Sequence, residues 1–351
     1  MKQAKYIGMD VHQATTVVAV ENANGKVVLE TIVATEARAI IDLLESLSGS
    51  LHVTFEETTQ AGWLHDVVRG FVKEVIVCDP RHTKSLGSKS DKIDARKLAD
   101  LLRAGMLRGV WHGHTTTRKL KELVRAYETL SVDTIRTMSR IKAMYRGRSI
   151  PTTGHGIYQP GERDHWLGLL SEPGARQRTR WLYEELDHLR RLRREAKQAM
   201  LTESRKHRAV KLLRTIPNLG PVRSARIVAT VDTPHRFRTK RQLWAYSGLA
   251  VVTHSSSEYE VQGPRVVRRR KPVATRGLNA NRNPHMKDVF IGAAIGGMRN
   301  EPWKSYLESL TDKGIRQEMA RLTLARKIAS VTLKIWKQGD TFDPKKLNLT
   351  K

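Results

Sequence analysis

The chain has 351 residues, 39% of them hydrophobic, with 63 Lys and Arg against 35 Asp and Glu, a formal net charge of +28 and a single cysteine, Cys78. That length suits two domains with a sizeable core, and one cysteine excludes a disulfide framework and a cysteine-rich zinc site. No run approaches the ~18 apolar residues of a membrane helix, the start MKQAKYIGMDVH has no apolar signal core, and a field of this sign attracts polyanions, so the expectation is a cytoplasmic protein that binds nucleic acid.

In chain order, 6–11, 15–21 and 26–33 are short runs rich in β-branched residues, the last two joined by the turn dipeptide Asn24-Gly25, which predicts hairpin-linked strands. Residues 37–47 carry Ile40, Ile41, Leu43, Leu44 and Leu47 at helical spacing. A strand follows at 51–55, a helix at 63–72, a strand at 74–78 ended by Asp79-Pro80, and a helix at 94–102. Three strands, then helix, strand, helix, strand, helix, is the order of a ribonuclease-H-like (RuvC-like) α/β domain, placed at 1–110. A long amphipathic helix begins near Thr116 with a stripe through Leu120, Leu123, Val124, Tyr127, Leu130, Ile135, Met138 and Ile141. A Gly/Pro-rich loop follows at 147–161. A second long helix is expected over 181–213, striped by Trp181, Leu182, Leu186, Leu189, Leu192, Ala196, Met200 and Val210. Two such helices at 116–213 predict an antiparallel pair or a dimerising coiled coil. A mainly helical region at 214–340 and a tail at 341–351 complete the organisation.

Four acidic positions stand out by placement. Asp10 ends the apolar first strand, Glu56 and Glu57 end HVTFEE, and Asp91 and Asp94 in KSDKIDARKLA share one helix face. Carboxylates gathered at strand ends and a helix start repel one another, and a divalent cation resolves that conflict. Mg²⁺, which favours carboxylate oxygens, water and phosphate, is the expected ion, held by Asp10, Glu56, Asp91 and Asp94. Only one of Glu56 and Glu57 can face the site on an extended strand; Glu56 is preferred and Glu57 is the fallback. Each acid also has a plain reading, Asp91 as a helix N-cap and the glutamates as solvent-facing strand ends.

Further along, IPNLGPVRSARIVA resembles a helix-hairpin-helix segment, in which Gly220 opens a helix whose first amides receive a phosphate and Arg223 adds charge. After RQLWAYSGL come Ser255, Ser256 and Ser257 in a predicted loop, then a stretch from Val261 to Lys287 with eight Lys/Arg and no acid. Arg265, Arg268, Arg269, Arg270, Lys271 and Arg276 in it are candidate nucleic-acid contacts. A serine hydroxyl is a weak nucleophile until activated, and in isolation this cluster reads as a solvated loop. The thirteen histidines, His112 and His114 among them, match no zinc spacing and are expected at the surface, with Trp244 and Tyr246 in the core.

Taken together, GMDVH, FEETT, KSDKIDARKLA, IPNLGPVRSARIVA, RQLWAYSGL, HSSSEY and RGLNANRNPHMKDVF resemble the IS110 family of bacterial insertion-sequence transposases, and the resemblance spans nearly the whole chain. It implies a DEDD metal cluster at Asp10, Glu56, Asp91 and Asp94, and a nucleophilic serine, best matched by Ser256, with Ser255 and Ser257 as fallbacks. Many relatives carry Gly where this chain has Ser257, and Thr-Gly where it has Thr58-Thr59. The resemblance further implies a transient phosphoserine–DNA link, a structured guide (bridge) RNA that pairs with donor and target DNA, a dimer or tetramer with composite sites, and a bacterial, nucleoid-associated location. Two rivals differ in kind. A RuvC-like junction nuclease needs the carboxylates and no serine; a non-catalytic nucleic-acid-binding protein needs neither.

Overall fold

A computed structural model describes residues 3–83, 90–113, 115–256, 259–262, 265–268 and 273–347. The chain folds into two compact units, Met1–His112 and Gly113–Lys351.

In the first unit, β1 (Ala4–Val11), β2 (Thr15–Asn22) and β3 (Val27–Ala34) form an antiparallel meander. Gly25 takes φ 78° at the β2–β3 turn, a conformation that Gly adopts without a Cβ penalty. After α1 (Ala37–Ser46), β4 (Ser50–Glu56) pairs parallel with β1; after α2 (Ala61–Val68), β5 (Glu74–Cys78) pairs parallel with β4. The sheet order is therefore β3-β2-β1-β4-β5, consistent with a ribonuclease-H-like domain. A single turn, α3 (Pro80–Thr83), and α4 (Asp91–Arg103) complete the unit. Alternation along β1 explains the layering. Ile7 and Met9 join Ile40, Leu44, Val53, Phe55 and Leu64 in one core. Gly8 faces α4 so closely that a Cβ there would fall on the Ala95 carbonyl oxygen and 2.5 Å from the Ala99 nitrogen.

Two boundaries differ from expectation by three residues or more. The second helix ends at Val68, because the chain turns at Arg69-Gly70 instead of running to Val72. The last helix starts at Asp91, three residues early, because Ser90 caps it by accepting a hydrogen bond from the Ile93 amide at 3.3 Å. Both Asp91 and Asp94 thus lie in its first turn.

The second unit is built on α5 (Arg118–Arg146) and α7 (Pro173–Ser204), with α6 (Arg163–Gly168) between them. The two long helices run antiparallel: Lys119 pairs with Glu203 at 3.4 Å, Thr137 donates to Glu185 at 3.0 Å, and the Tyr145 and Tyr183 hydroxyls meet at 3.3 Å. The second long helix is shifted from its expected span of 181–213: it begins at Pro173, eight residues earlier, and also ends earlier. It stops at Ser204, where the Lys206 and His207 amides close tight turns onto the Glu203 and Ser204 carbonyls. A separate α8 (Arg208–Leu213) then carries Val210 and Leu213 into the core. Ile135 and Trp181, both assigned to the stripes, are 62% and 60% exposed, while Thr134, Thr137 and Tyr183 are buried in their stead. The seam admits polar pairs such as Thr137–Glu185, so apolar identity alone misplaces it.

The rest of the unit comprises α9 (Pro221–Val231), α10 (Lys240–Tyr246), β6 (Val251–Ser256), β7 (Tyr259–Gln262), β8 (Arg265–Arg268), β9 (Val273–Leu278), α11 (Pro284–Gly297), α12 (Trp303–Thr311) and α13 (Gln317–Gln338). Two antiparallel pairs, β6–β9 and β7–β8, interrupt this mainly helical region. The serines expected in a loop fall partly on one of them. The main core gathers Leu120, Val124 and Met200 at the base of α5 and α7 with Phe290, Trp303 and Ile328. A smaller core at the far end holds Ile141, Tyr145, Ile157, Tyr183 and Leu186.

A polar network ties α5, α9 and α11 together. The Arg226 guanidinium donates to Glu128 at 2.6 Å and to Asp288 at 2.8 Å, with Arg226 and Glu128 only 14% and 13% exposed. Glu128→Ala strands that cation beside one exposed partner and should cost roughly 2–3 kcal/mol in urea unfolding, below the full range for a buried pair because Asp288 remains. A loss under about 0.5 kcal/mol would show that Asp288 alone satisfies Arg226.

Candidate active site

Asp10 lies near the carboxyl end of β1, half-buried. In the β1–β4 register Gly8 sits beside Thr54 and Met9 beside Phe55, so the next pair is Asp10 beside Glu56. Alternation places Asp10 and Glu56 on the sheet face that Gly8 turns toward α4. The first turn of α4 supplies Asp91 and Asp94, where the positive end of the helix dipole favours anions.

The carboxylates of Asp10 and Asp91 and the His12 imidazole offer ligand atoms that all lie within 4.8 Å of one another. His12 Nε2 is 3.2 Å from Asp10 Oδ2 and 3.5 Å from Asp91 Oδ2. Burial pushes the Asp10 carboxyl above its ordinary range; His12 opposes this, and the negative charges of Asp91 and Asp94 add to it. A buried acid pressed by neighbouring negative charges makes a site suited to a cation. Glu56 and Asp94 share the region without entering that tightest trio.

Glu57 is engaged elsewhere. Its carboxylate lies 2.6 Å from His112 Nε2, and the His112 ring stacks on His65 with centroids 5.0 Å apart. His112 is therefore a held, largely covered residue (14% exposed) rather than the surface histidine expected. Sequence reasoning also passed over His12, which follows directly on the end of β1, two residues beyond Asp10.

In the second unit, Gly220 is the residue before α9, and Pro221 occupies the first helical position. Arg223 is half-buried, donates to the Asn218 carbonyl at 3.1 Å and packs against Gly292. Ser255 and Ser256 end β6, in register with Ala274 and Val273 of β9; Ser257 lies outside the described residues. Arg265 and Arg268 are exposed on β8, Arg276 pairs with Thr253 across β6–β9, and Arg269, Arg270 and Lys271 also lie outside the described residues. Trp244 and Tyr246 pack, partly buried, against the main core.

Two family profiles match the chain in sequence order. Residues 7–147, which include all four acids, match a DEDD-type transposase profile of IS110, and residues 210–278, which include β6, match the transposase profile of the IS116/IS110/IS902 family. The chain belongs to the IS110 transposase family.

A protein of Sinorhizobium fredii named as a transposase, y4qE, is 27% identical over 268 residues, 72% of this chain and 65% of its own length. The chain thus matches somewhat less than two thirds of that relative. As a DEDD-type IS110 transposase domain, the first unit is of a kind suited to a divalent metal, and its residues fit one: hard oxygen donors from Asp10 and Asp91 and an imidazole from His12 converge. Among the described residues no helix is long and apolar enough to cross a membrane.

Proposed function

We propose that this chain is an RNA-guided DNA transposase that exchanges strands through a serine ester, with Asp10, Glu56, Asp91 and Asp94 as the metal-holding acids and Ser256 as the nucleophile. The observation that carries the reading is the convergence of Asp10 and Asp91 at the β1–α4 junction of a domain matching the DEDD profile. Mg²⁺ is the ion in this reading; when bound it would neutralise the acids and polarise a phosphate oxygen.

The chain's own groups take the remaining roles. Asp10 and Glu56 from adjacent strands and Asp91 and Asp94 from one helix turn fix the spacing of the donor oxygens. His12 bridges Asp10 and Asp91 and orients both. The Glu57 carboxylate, bound to His112, stays out of the ligand set and braces the segment after β4. Ser256 Oγ attacks a DNA phosphorus: the Oγ–P bond forms, one P–O bond of the strand breaks, and the leaving oxygen takes up a proton as a strand-end hydroxyl. Return of a hydroxyl from another strand reverses the chemistry and frees the serine. The Gly220 turn with the start of α9, as a helix-hairpin-helix, and Arg265, Arg268, Arg269, Arg270, Lys271 and Arg276 would hold phosphates. A dimer or tetramer would bring one subunit's serine to another's acids, with α5 and α7 as the coiled-coil element, and a bridge RNA would account for part of the +28 charge.

The test is a denaturing gel of the chain with Mg²⁺, end-labelled DNA from the flanks of its gene, and RNA transcribed from those flanks. A labelled band at protein mass, absent with Ser256→Ala, is expected. Adduct formation retained by Ser256→Ala but lost with Ser255→Ala or Ser257→Ala moves the nucleophile by one residue. Cleaved DNA without any adduct replaces this reading by a metal nuclease.

A further inference from the structure

A cleft of about 720 Å³ lies between α10, α12 and α13 in the second unit, inside the ~300–1,000 Å³ range of ligand sites. Arg326, Lys327, Lys334 and Lys337 line it from one face of α13, set by helical spacing, and Arg238 and Lys240 face them from the start of α10. No acid lines it.

Along α5 and α7 exposed arginines pair with acids: Arg125 with Glu122, Arg136 with Asp133, Arg191 with Glu195. In the cleft, none of the seven lining cations, Lys346 included, forms an ion pair among the described residues. Arg326 and Lys337 instead donate to the Leu249 and Arg238 carbonyls, and Lys240 and Lys327 lie over the Trp244 and Tyr306 rings. Lys327 is half-buried; burial, then the charges of Lys240 and Lys334, hold its ammonium below the usual lysine range. Asp340 and Asp343 line the adjoining groove, which shares Lys334. Like charges held together with covered stems are unfavourable until an anion joins them.

We propose that this cleft seats the phosphodiester backbone of a single nucleic-acid strand. The volume admits one backbone of a few nucleotides, so a duplex could place only one of its two strands in it. The rings are covered by cations and core, so the seat contacts phosphates and leaves bases unread. None of its lining residues comes from β6 or β7–β8, the strands that carry the serine and arginine candidates, so it adds a second grip on the substrate. The inference rests on the reading of the chain as one that acts on nucleic acid.

The test compares the full chain with K240Q/K327Q/K337Q and with a control, R299Q/K313Q/R316Q, that removes equal charge elsewhere in the unit. Fluorescence anisotropy is read with labelled 12-nucleotide single-stranded DNA, the matching RNA, a DNA duplex and a polyglutamate of equal charge, over a range of salt. The cleft variant should bind a single strand at least tenfold more weakly than wild type, with its salt slope reduced by about 2, since each single-strand contact contributes roughly 0.7. The control should lose under threefold. The strand with the larger loss, DNA or RNA, identifies the source of the backbone. Inorganic tripolyphosphate should raise the melting temperature of wild type and control but not of the cleft variant, which separates loss of the site from loss of the fold. Equal losses in both variants, no loss in either, or polyglutamate bound as tightly as the strands would each overturn the proposal. Absence of any nucleic-acid binding by wild type, despite a tripolyphosphate shift, would instead remove the reading beneath it.

Discussion

Asp10→Asn should leave the chain folded and able to bind nucleic acid while lowering serine–DNA adduct formation on the order of 10³-fold or more. A cation at such a site contributes several kcal/mol to a phosphoryl-transfer barrier, and each ~1.4 kcal/mol is a factor of ten. Asparagine keeps the size of the side chain and removes the charge. Since burial and the neighbouring acids already penalise the ionised Asp10, the neutral variant should melt no lower than wild type. The decisive comparison is adduct yield with thermal melting on the same preparations. Adduct at more than a tenth of the wild-type level would remove Asp10 from the catalytic set. A fall in melting temperature as large as that of a core mutation would recast it as structural.

Gly8→Ala should damage both stability and activity. The new methyl group would fall on the Ala95 carbonyl, 2.5 Å from the Ala99 nitrogen and 3.0 Å from Leu98 Cβ, all on α4. Backbone on both sides leaves no flexible side chain to give way, so the helix must move outward. Overpacking of this kind costs roughly 1–3 kcal/mol. The displaced helix carries Asp91 and Asp94 with it, and a ~1 Å error in catalytic geometry can cost about 10²-fold. Gly62→Ala in α2 is the matched control, since nothing lies within 4 Å of the added Cβ and alanine suits a helix by ~1 kcal/mol over glycine. Urea unfolding and adduct yield would be measured for both. A Gly8→Ala protein as stable and active as the Gly62 variant would mean that α4 does not depend on this contact to hold its acids.

The first unit was largely legible because each strand advertises itself through alternation and each turn through local chemistry. Asn24-Gly25 marks a chain reversal and Asp79-Pro80 the end of a strand, both without help from distant residues. Asp91 and Asp94 were legible as a pair, but the earlier helix start depends on the Ser90 cap, which an apolar pattern cannot show. His12 joins Asp10 and Asp91 only once β1 and α4 are packed, and the Glu57–His112 contact spans 55 residues of sequence. The β6–β9 pairing has the same character: Ser255 and Ser256 read as loop until Ala274 and Val273 supply their partners. On the long helices the pattern failed for another reason. An antiparallel seam with Thr137, Glu185, Tyr145 and Tyr183 in it does not track apolar identity, so Ile135 and Trp181 were assigned inward although both face solvent.

The two cores of the second unit give the antiparallel pair a mechanical character. One end of α5 and α7 is embedded in the main core, while the other end carries its own small core around Tyr145 and Tyr183. With 29 residues in α5, rising ~1.5 Å each, the pair is a lever on the order of 40 Å long. A tilt of about 5° at the embedded end sweeps the far end through some 3–4 Å by that same length, roughly the width of one side-chain layer. Small repacking around Leu120, Val124 and Met200 is thereby amplified into displacement of whatever the far end grips.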